Sequence, residues 1–567
     1  MSEQLTGGEV VVETLRREGV DVVFGLIGSA TMELFDALHG AADIRFVGVR
    51  DERTGTHMAD AYARTTGRPG VMIAGQNGPG VTNLVTGLAQ AYRAYSPVLT
   101  LGGAVARPQV DRESFQELDQ QALLTPVTKR TFSVGLPENL ARTMHAAFRT
   151  ALAPRTGPVH VNLPRDVLAA PMDRPALPDP ASYRPAARPY GDPACMPAAA
   201  ELLANAQRPL AVAGAGIKWG GRYAEALQLA ETLGCPIAAA AGHGDAVPTD
   251  HPLAAGQVGP RGNVVASRLM READVIVALG TRLGFNSTFF STEHINPDAA
   301  IVHVELEPTA MGREFPFEVG IVGDAAAVAG QLTEALGAHR PSAAVQAWTT
   351  QFQADRAALL QERDAAAMTD RNPLQPAQVF GALRRVLPRD AIVTLDAGTL
   401  CLQATDVLPY HTPPALLTPL DFGLVGFSFA AGLGAKLAAP GRPVVSLMGD
   451  GGFGMTTSEL STAVAEGIAT TVLVLNNGVW GAEKAYQRDF FGGRYLGADL
   501  HNPPFDKLAE LYGARGLAVS NAADLDDVLK EAVAGDRCCV VDIAVDPDAL
   551  YSFRRDSFAH RAGGSGR

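Results

Sequence analysis

Residues 445–480 read VSLMGDGGFGMTTSELSTAVAEGIATTVLVLNNGVW, and this stretch decides the fold. The apolar, β-branched run 443–448 predicts a buried strand that breaks at the glycine-rich turn 449–452. Glycines permit the tight, positive-φ backbone of a turn that holds a phosphate group. A helix is predicted at about 458–466, and a second apolar strand, 470–475, leads into Asn476 and Asn477. Strand, turn, helix and strand in this order predict a parallel α/β sheet.

Asp450 and Asn477 follow these two strands directly. Ligands of open α/β sheets bind at the carboxyl ends of the strands, so we expect both side chains at one edge. Carboxylate and amide oxygens beside a phosphate-binding turn suit a Mg²⁺ ion that bridges to a diphosphate. The glycine turn alone is also compatible with a purely structural role.

Composition excludes several classes of protein. The chain has 567 residues, of which 47% are apolar and 19% are charged, so it is globular and long enough for several domains. The net charge of -13 and the lack of basic runs argue against nucleic-acid binding. We expect no membrane span and no signal peptide. The five cysteines are scattered and predict reduced thiols in a cytoplasmic protein.

Glu52 is the candidate catalytic residue of the N-terminal region. It follows the predicted strand 44–49 and begins a helix, 54–65, that contains small residues and His57. A carboxylate at this position is also favoured by the helix dipole alone. A second glycine-proline turn at Gly78 feeds another helix.

Several segments together resemble thiamine-diphosphate (ThDP) enzymes. They are GLIGSA at 25–30, Glu52, HMADAYAR at 57–64, GPG at 78–80, GDG at 449–451 and NN at 476–477. The resemblance implies that Asp450, Asn477 and the main-chain carbonyl of Val479 hold Mg²⁺. It implies that Glu52 hydrogen-bonds N1′ of the aminopyrimidine, where burial would raise its proton affinity. The remaining cofactor contacts that it implies are Gly78, Gly398, Thr399, Gly423, Val425, Gly451 and Gly452.

The resemblance covers essentially the whole chain and implies an α/β fold with three doubly wound parallel-sheet domains. Residues 1–170 form the predicted pyrimidine-binding domain, and the proline-rich segment 171–193 is a linker. A central Rossmann-like domain, 194–337, and a connector, 338–374, precede the diphosphate- and Mg²⁺-binding domain, 375–567. FAD or ADP occupies the central domain of some relatives. It is not favoured here, because Gly214 and Gly216 lack a third glycine at the fingerprint spacing. Glu305 and Glu307 are interpreted as solvated carboxylates in preference to ribose ligands.

Several residues depart from the family pattern or bear on the substrate. Asp51 and Arg53 flank Glu52 where relatives have His and Gln, and Ile27 replaces a proline. Gln116 lies in a segment that reaches the substrate pocket of relatives, although an ordinary surface loop is the alternative. His57 and Lys484 are candidate proton carriers. Arg53, Arg554 and Arg555 are candidate oxyanion ligands, because guanidinium binds such groups in a bidentate manner; a solvated surface pair is the alternative for the last two.

Among ThDP enzymes, the segments QNGPGVT at 76–82, DVIVALGTRLG at 274–284, WGAEK at 480–484 and FRRD at 553–556 most resemble sulfoacetaldehyde acetyltransferases. This implies transfer of a two-carbon acetyl unit to phosphate with release of sulfite. The alternative is an acetolactate-synthase-like decarboxylase or carboligase that acts on a 2-oxo acid. A ThDP-binding subunit without catalysis is a more remote alternative. The resemblance also implies a homodimer or a dimer of dimers, with each cofactor between two subunits.

Overall fold

A computed structural model describes residues 4–184, 188–558 and 560. Its core is built from three six-stranded sheets, and every strand pair within them is parallel. α-Helices connect most of the strands, as is usual for parallel sheets, whereas the connections at residues 240–253 and 306–318 contain only short 3-10 helices. The predicted fold class, three doubly wound parallel sheets, is confirmed.

The first sheet has the order β3-β2-β4-β5-β7-β6, and the short strands β1 and β8 pair antiparallel beside it. Its strands are β1 Gln4–Thr6, β2 Val22–Leu26, β3 Arg45–Gly48, β4 Gly70–Ala74, β5 Val98–Ala104, β6 Arg130–Ser133, β7 Val159–Pro164 and β8 Pro171–Asp173. Its helices are α1 Gly7–Arg17, α2 Met32–His39, α3 Glu52–Thr66, α4 Pro79–Arg93, α5 Gln120–Leu124, α6 Leu140–Leu152 and α7 Arg165–Ala169.

The second sheet has the order β11-β10-β9-β12-β13-β14. Its strands are β9 Pro209–Ala213, β10 Ile237–Ala239, β11 Ala254–Gln257, β12 Val275–Leu279, β13 Ala300–Glu305 and β14 Val319–Val322. Its helices are α8 Met196–Ala204, α9 Ala215–Gly220, α10 Tyr223–Leu233, α11 Val264–Glu272, α12 Phe285–Thr288 and α13 Ala325–Leu336. The long helix α14, Ala343–Ala367, leads from this sheet to the next.

The third sheet has the order β16-β15-β17-β18-β20-β19. Its strands are β15 Ile392–Leu395, β16 Leu416–Leu417, β17 Val444–Gly449, β18 Thr471–Asn476, β19 Arg515–Val519 and β20 Cys539–Ala544. Its helices are α15 Pro376–Val386, α16 Thr399–Val407, α17 Ser428–Ala438, α18 Asp450–Gly454, α19 Leu460–Ala465, α20 Gly481–Phe490, α21 Phe505–Leu511 and α22 Ala522–Val533.

Helix α3 of the first unit packs on helix α17 of the third, and glycine makes the approach close. A Cβ atom at Gly434 would clash with the main chain of Met58. The buried carboxyl of Glu459 accepts hydrogen bonds from the Arg50 amide at 3.0 Å and from the Thr54 hydroxyl at 2.5 Å. The first and third sheets are therefore held together next to the residue predicted to be catalytic, Glu52.

In the part of the chain that the structure describes, every helix is too short or too polar to cross a lipid bilayer.

Candidate active site

Asp450 and Asn477 lie at the same edge of the third sheet, because β17 and β18 are neighbours and Gly449 pairs with Leu475. Asp450 is buried, and its Oδ2 accepts a hydrogen bond from Asn502 Nδ2 at 2.7 Å. Asn477 Oδ1 lies 3.4 Å from the Val479 amide. Burial raises the pKa of the Asp450 carboxyl to about 6, because its ionised form loses contact with water. A positive charge next to Asp450 would stabilise the carboxylate.

A divalent cation would supply this positive charge. A carboxylate, a side-chain amide and a main-chain carbonyl are hard oxygen donors of the kind that Mg²⁺ prefers. Among the described residues, no cluster of three or more His, Cys, Asp or Glu side chains forms a metal site. A Mg²⁺ ion bound at this edge would therefore need oxygen donors of other kinds, such as the side-chain amide and the main-chain carbonyl that the sequence suggests.

The glycine turn differs from the sequence prediction. Positive φ was expected in segment 449–452, but Gly449 is extended at φ -77° and Gly451 and Gly452 belong to helix α18. Glycine is needed there for close approach instead. A Cβ atom at Gly451 would lie 2.6 Å from the Trp480 ring, and one at Gly452 would clash with the Asp396 carboxylate. The absence of side chains at Gly451 and Gly452 therefore allows Trp480 and Asp396 to pack against the first turn of α18.

Asp396 is a central residue of the site that the sequence reasoning did not single out. It is fully buried, and its two oxygens accept hydrogen bonds from the amides of Ala397 at 3.0 Å, Gly426 at 2.9 Å and Phe427 at 3.1 Å. Burial raises the pKa of Asp396 to about 6 despite these bonds. The only signal in the sequence was an aspartate directly after a predicted strand.

Asp396 fixes the turn that carries Gly423 and Val425. Gly423 and Gly426 adopt φ values of 86° and 84°, which only glycine reaches without strain. A Cβ atom at Gly452 would lie 3.2 Å from Val425 Cγ1. The side chains of Thr399 and Asn477 both lie next to Gly481. A Cβ atom there would be 3.4 Å from Thr399 Oγ1 and 3.6 Å from Asn477 Nδ2. The structure therefore brings together the predicted contacts of the third sheet.

Glu52 lies in the first unit and is only 4% exposed. Its Oε2 accepts a hydrogen bond from Asn83 Nδ2 at 2.9 Å, and a Cβ atom at Gly80 would lie 3.0 Å from Oε1. Burial raises the pKa of this carboxyl above its ordinary value. The side chain thus faces helix α4, and its environment favours uptake of a proton.

Gln116 and Gly78 form a second cluster beside Glu52. The Gly78 amide donates to Gln120 Oε1 at 2.8 Å, and the Gln116 carbonyl accepts from Asn77 Nδ2 at 2.8 Å. Apolar side chains flank this edge and remain solvent-accessible in the single chain. Phe115 is 84% exposed and Ile27 is 62% exposed.

Comparisons with known proteins agree with this geometry. Three family models match: the N-terminal binding domain of thiamine pyrophosphate (ThDP) enzymes at residues 5–123, the central domain at 196–332 and the C-terminal binding domain at 396–543. Sulfoacetaldehyde acetyltransferase of Alcaligenes xylosoxydans xylosoxydans is 34% identical over 98% of this chain and 96% of its own length. The chain belongs to the thiamine pyrophosphate enzyme family.

Acetolactate synthases are similar to nearly the same degree. The probable large subunit of Methanocaldococcus jannaschii is 33% identical over 96% of this chain and 92% of its own length. The isozyme 3 large subunit of Escherichia coli (strain K12) is 34% identical over 96% and 95%. The chain is therefore an enzyme whose cofactor is ThDP, and its reaction is not decided by identity alone.

A cavity of about 770 Å³ is lined by residues of all three units, with Tyr95 and Arg155 contributed by the first. At one end it is lined by Gly216, Arg282 and Glu305, and at the other by Gly398, Gly423 and Arg554. Glu52 is not among the described residues that line it. Of the predicted contacts of the third sheet, Gly398 and Gly423 line this cavity, whereas Asp450 and Asn477 are, like Glu52, not among its lining residues.

The central unit corrects one prediction and explains a motif. Glu305 was predicted to be solvated, but it is 8% exposed, because it ends the buried strand β13; burial raises its pKa. A Cβ atom at Gly214 would lie 2.5 Å from the Gly280 carbonyl, and one at Gly216 would lie 2.6 Å from Gly280 Cα. These glycines therefore serve the packing of two strand ends, whatever the cavity binds.

The remaining candidates have different surroundings. Lys484 forms an ion pair with Asp499 at 2.7 Å, and Arg53 donates to the Met455 carbonyl at 3.1 Å. Arg554 lines the cavity, whereas the side chain of Arg555 lies outside the described residues.

His57 is completely buried, edge-on to the Phe427 ring at 5.3 Å, where α3 meets α17. Within the described structure, neither of its ring nitrogens has a hydrogen-bond partner. Burial, together with the charges of Arg53 and Arg64, lowers the pKa of His57 from 6.5 to about 3. The native imidazole is therefore neutral at physiological pH.

We predict that His57 makes the protein sensitive to acid. Below pH 6.5 the unfolded chain binds a proton at His57 that the folded chain does not bind, down to about pH 3. Stability should therefore fall by up to about 1.4 kcal/mol for each pH unit in this window. The thermal unfolding midpoint of His57→Leu should decline less steeply than that of the wild type from pH 6.5 to 5. Substitution of the exposed His39 by Leu is the control; equal slopes for all three proteins would contradict the prediction.

Proposed function

We propose that this enzyme is a ThDP-dependent acetyltransferase that cleaves sulfoacetaldehyde, releases sulfite and transfers the acetyl unit to phosphate. The observation that carries the proposal is the similarity to sulfoacetaldehyde acetyltransferase along 98% of the chain. The arginines of the cavity are consistent with anionic reactants. We also propose that the protein is cytoplasmic, in keeping with its five free cysteines.

When bound, ThDP supplies a nucleophilic carbon and an electron sink for cleavage of the bond next to the substrate carbonyl. In the proposal, Asp450, Asn477 and the Val479 carbonyl hold Mg²⁺ at the edge of the third sheet. Gly451, Gly452, Gly398 and Thr399 receive the diphosphate, and among the described residues other than its chain neighbours nothing lies within 4 Å of the position that a Cβ atom at Gly398 would take. No further protein group is needed to neutralise Asp450 once the cation is present.

Glu52, Gly423 and Val425 act on the cofactor rings. The Glu52 carboxyl exchanges a proton with N1′ of the aminopyrimidine, and the buried environment that raises its pKa suits this exchange. When ThDP is bound, the Gly423 carbonyl would accept a hydrogen bond from its 4′-amino group, and Val425 would pack against its rings. Asp396 keeps both residues in position through the Gly426 and Phe427 amides.

The second candidate function is an acetolactate-synthase-like reaction of a 2-oxo acid. The specific observation in its favour is the 33–34% identity to acetolactate synthases over 96% of the chain. A catalytically silent subunit is disfavoured because Glu52, Asp450 and Asn477 are all present. FAD or ADP is not part of the proposal, because the packing of Gly214 and Gly216 accounts for these glycines without a nucleotide.

The deciding experiment is sulfite release from sulfoacetaldehyde by the enzyme loaded with ThDP and Mg²⁺. We expect sulfite and acetyl phosphate to form in equal amounts, and only when phosphate is present. Omission of phosphate is the control. Formation of CO₂ from pyruvate without any sulfite from sulfoacetaldehyde would reject the acetyltransferase and favour the carboligase.

Glu52→Gln should retain ThDP, but the rate of proton exchange at the thiazolium C2 should fall by about 100-fold or more. The reason is that the Gln side-chain amide cannot exchange a proton with N1′ as a carboxyl group does. Proton exchange is followed by NMR, and cofactor affinity by quenching of tryptophan fluorescence. Asn83→Ala, which removes only the hydrogen-bond partner of Glu52, should have a smaller effect. Exchange at the wild-type rate in Glu52→Gln would mean that another group activates the cofactor.

We further propose that each active site is completed by Glu52 of a second subunit, so that the enzyme is a homodimer or a dimer of dimers. The exposed Ile27 and Phe115 beside the Glu52 edge support such an interface. Glu52→Gln and Asp450→Asn should each be inactive. When the two variants are unfolded and refolded together, a mixed dimer contains one intact site, so activity should return. Failure of the mixture to recover any activity, with mixed dimers demonstrated, would contradict the shared site.

A further inference from the structure

Two arginines share an aromatic surface at the end of the cavity that faces the third unit. The guanidinium carbon of Arg261 lies 4.8 Å from the ring centre of Phe553 and 5.8 Å from that of Phe285. The guanidinium carbon of Arg554 lies 4.9 Å from the same Phe285 ring. Arg261 Nη1 also donates to Asn286 Oδ1 at 2.9 Å. We call this cluster, Arg261, Phe285, Phe553 and Arg554, the arginine platform.

The platform is assembled from three segments that are distant in sequence. Arg261 lies between β11 and α11, Phe285 begins α12, and Phe553 and Arg554 belong to the C-terminal segment after β20. All four residues line the cavity, together with Gly398 and Gly423, the proposed cofactor contacts. Tyr486 of α20 lies there too. Burial raises its pKa to about 12, and the charges of Arg554 and Arg261 act in the opposite direction. The positive charges of both guanidiniums therefore affect the space next to α20.

Stacking holds a guanidinium by its face, and its five N–H groups lie at the edge of the plane. One of them donates to Asn286 Oδ1 from Arg261, and one donates to Ser557 Oγ from Arg554. Two such groups in one half-buried cavity attract an anion with several oxygens, since bidentate hydrogen bonds to oxyanions are strong. Glu483 lines the same cavity and limits the net charge there. Arg53, the other candidate oxyanion ligand that the structure describes, donates instead to a main-chain carbonyl and does not line the cavity.

We propose that Arg261 and Arg554 bind the oxyanion group of a reactant and so determine which substrate reaches the cofactor. This inference rests on the proposed function for the position of the cofactor. Three oxyanions have the required chemistry: the sulfonate of the two-carbon donor, inorganic phosphate as the acceptor, and the carboxylate of a 2-oxo acid. The site is the same in each case, and the experiment distinguishes the three sources.

The test measures equilibrium binding by titration calorimetry to the enzyme loaded with ThDP and Mg²⁺. The probes are unreactive or incomplete reactants: isethionate for the sulfonate, inorganic phosphate, and lactate for the carboxylate. Arg261→Met and Arg554→Met should each lower the affinity for at least one of these anions by tenfold or more, as expected for the loss of one charged hydrogen bond. Arg261→Lys keeps the charge but not the paired N–H groups, and should fall between the wild type and Arg261→Met.

Arg155→Met is the matched control. Arg155 also lines the cavity and stacks on an aromatic ring, 4.0 Å from the centre of Tyr95, but at the other end. Its affinity for the same anion should stay within about twofold of the wild type. ThDP affinity and the thermal unfolding midpoint are measured for every variant, so that an unfolded protein is not mistaken for a lost site.

The anion that loses affinity identifies the reactant bound by the platform. Equal losses of anion affinity in Arg155→Met and Arg261→Met would mean that only the overall charge of the cavity matters, and would overturn the inference. So would unchanged binding of all three anions in both platform variants, or no binding by the wild type. The assay needs no turnover. Absence of sulfite formation would therefore reject the proposed acetyltransferase while leaving the binding result for phosphate or lactate standing.

Discussion

The active-site end of the third sheet depends on one buried carboxylate. Asp396 lies at the carboxyl end of β15 and binds the amides of Ala397, Gly426 and Phe427, while Gly452 packs against it without a side chain. A buried charge is tolerated only when its oxygens are satisfied by donors. The need to satisfy Asp396 therefore fixes where the turn after Pro419 lies relative to helix α18. Gly423 and Val425 are positioned by the same requirement.

The first unit is joined to the third by contacts of similar character. Glu459 is a second buried carboxylate, and it accepts bonds from Arg50, Thr54 and Thr462. Where α3 crosses α17, main chain meets main chain at Gly434. Close packing of this kind tolerates little change in volume. It orients the start of α3, and with it Glu52, from within the same chain.

The order of strands and helices was predictable because each buried strand is a short apolar run bounded by glycine, proline or a polar pair. Asp450, Asn477 and Glu52 were predictable for a related reason, since each directly follows a strand or begins the helix after one. The conformation of Gly451 and Gly452 was not predictable. Glycine serves both positive φ and close approach, and only the positions of Trp480 and Asp396 distinguish the two. Glu305 was misjudged because burial at a strand end depends on neighbouring units.

Asp396 was not singled out, and Arg261 was overlooked, for a related physical reason. Apart from Ala397, the hydrogen-bond partners described above lie 25 or more residues away along the chain, and the only local signal was that Asp396 follows a strand. Arg261 in particular meets Phe553 through tertiary packing alone. Sequence reasoning nominated arginines that stand next to recognised motifs, namely Arg53, Arg554 and Arg555. Of the two whose side chains the structure describes, Arg53 and Arg554, only Arg554 lines the cavity.

The distribution of charge links these observations to substrate choice. The chain carries a net charge of -13, which repels large polyanions at a distance. The cavity nevertheless contains several cationic side chains, among them Arg155, Arg188, Arg261, Arg282 and Arg554. Screening at physiological ionic strength limits the repulsion to about 8 Å, whereas charges within a half-buried cavity are screened less. A small anion such as a sulfonate, a phosphate or a 2-oxo acid therefore experiences the local arginines once it enters the cavity, where acidic side chains such as Glu305 and Glu483 limit the net positive charge.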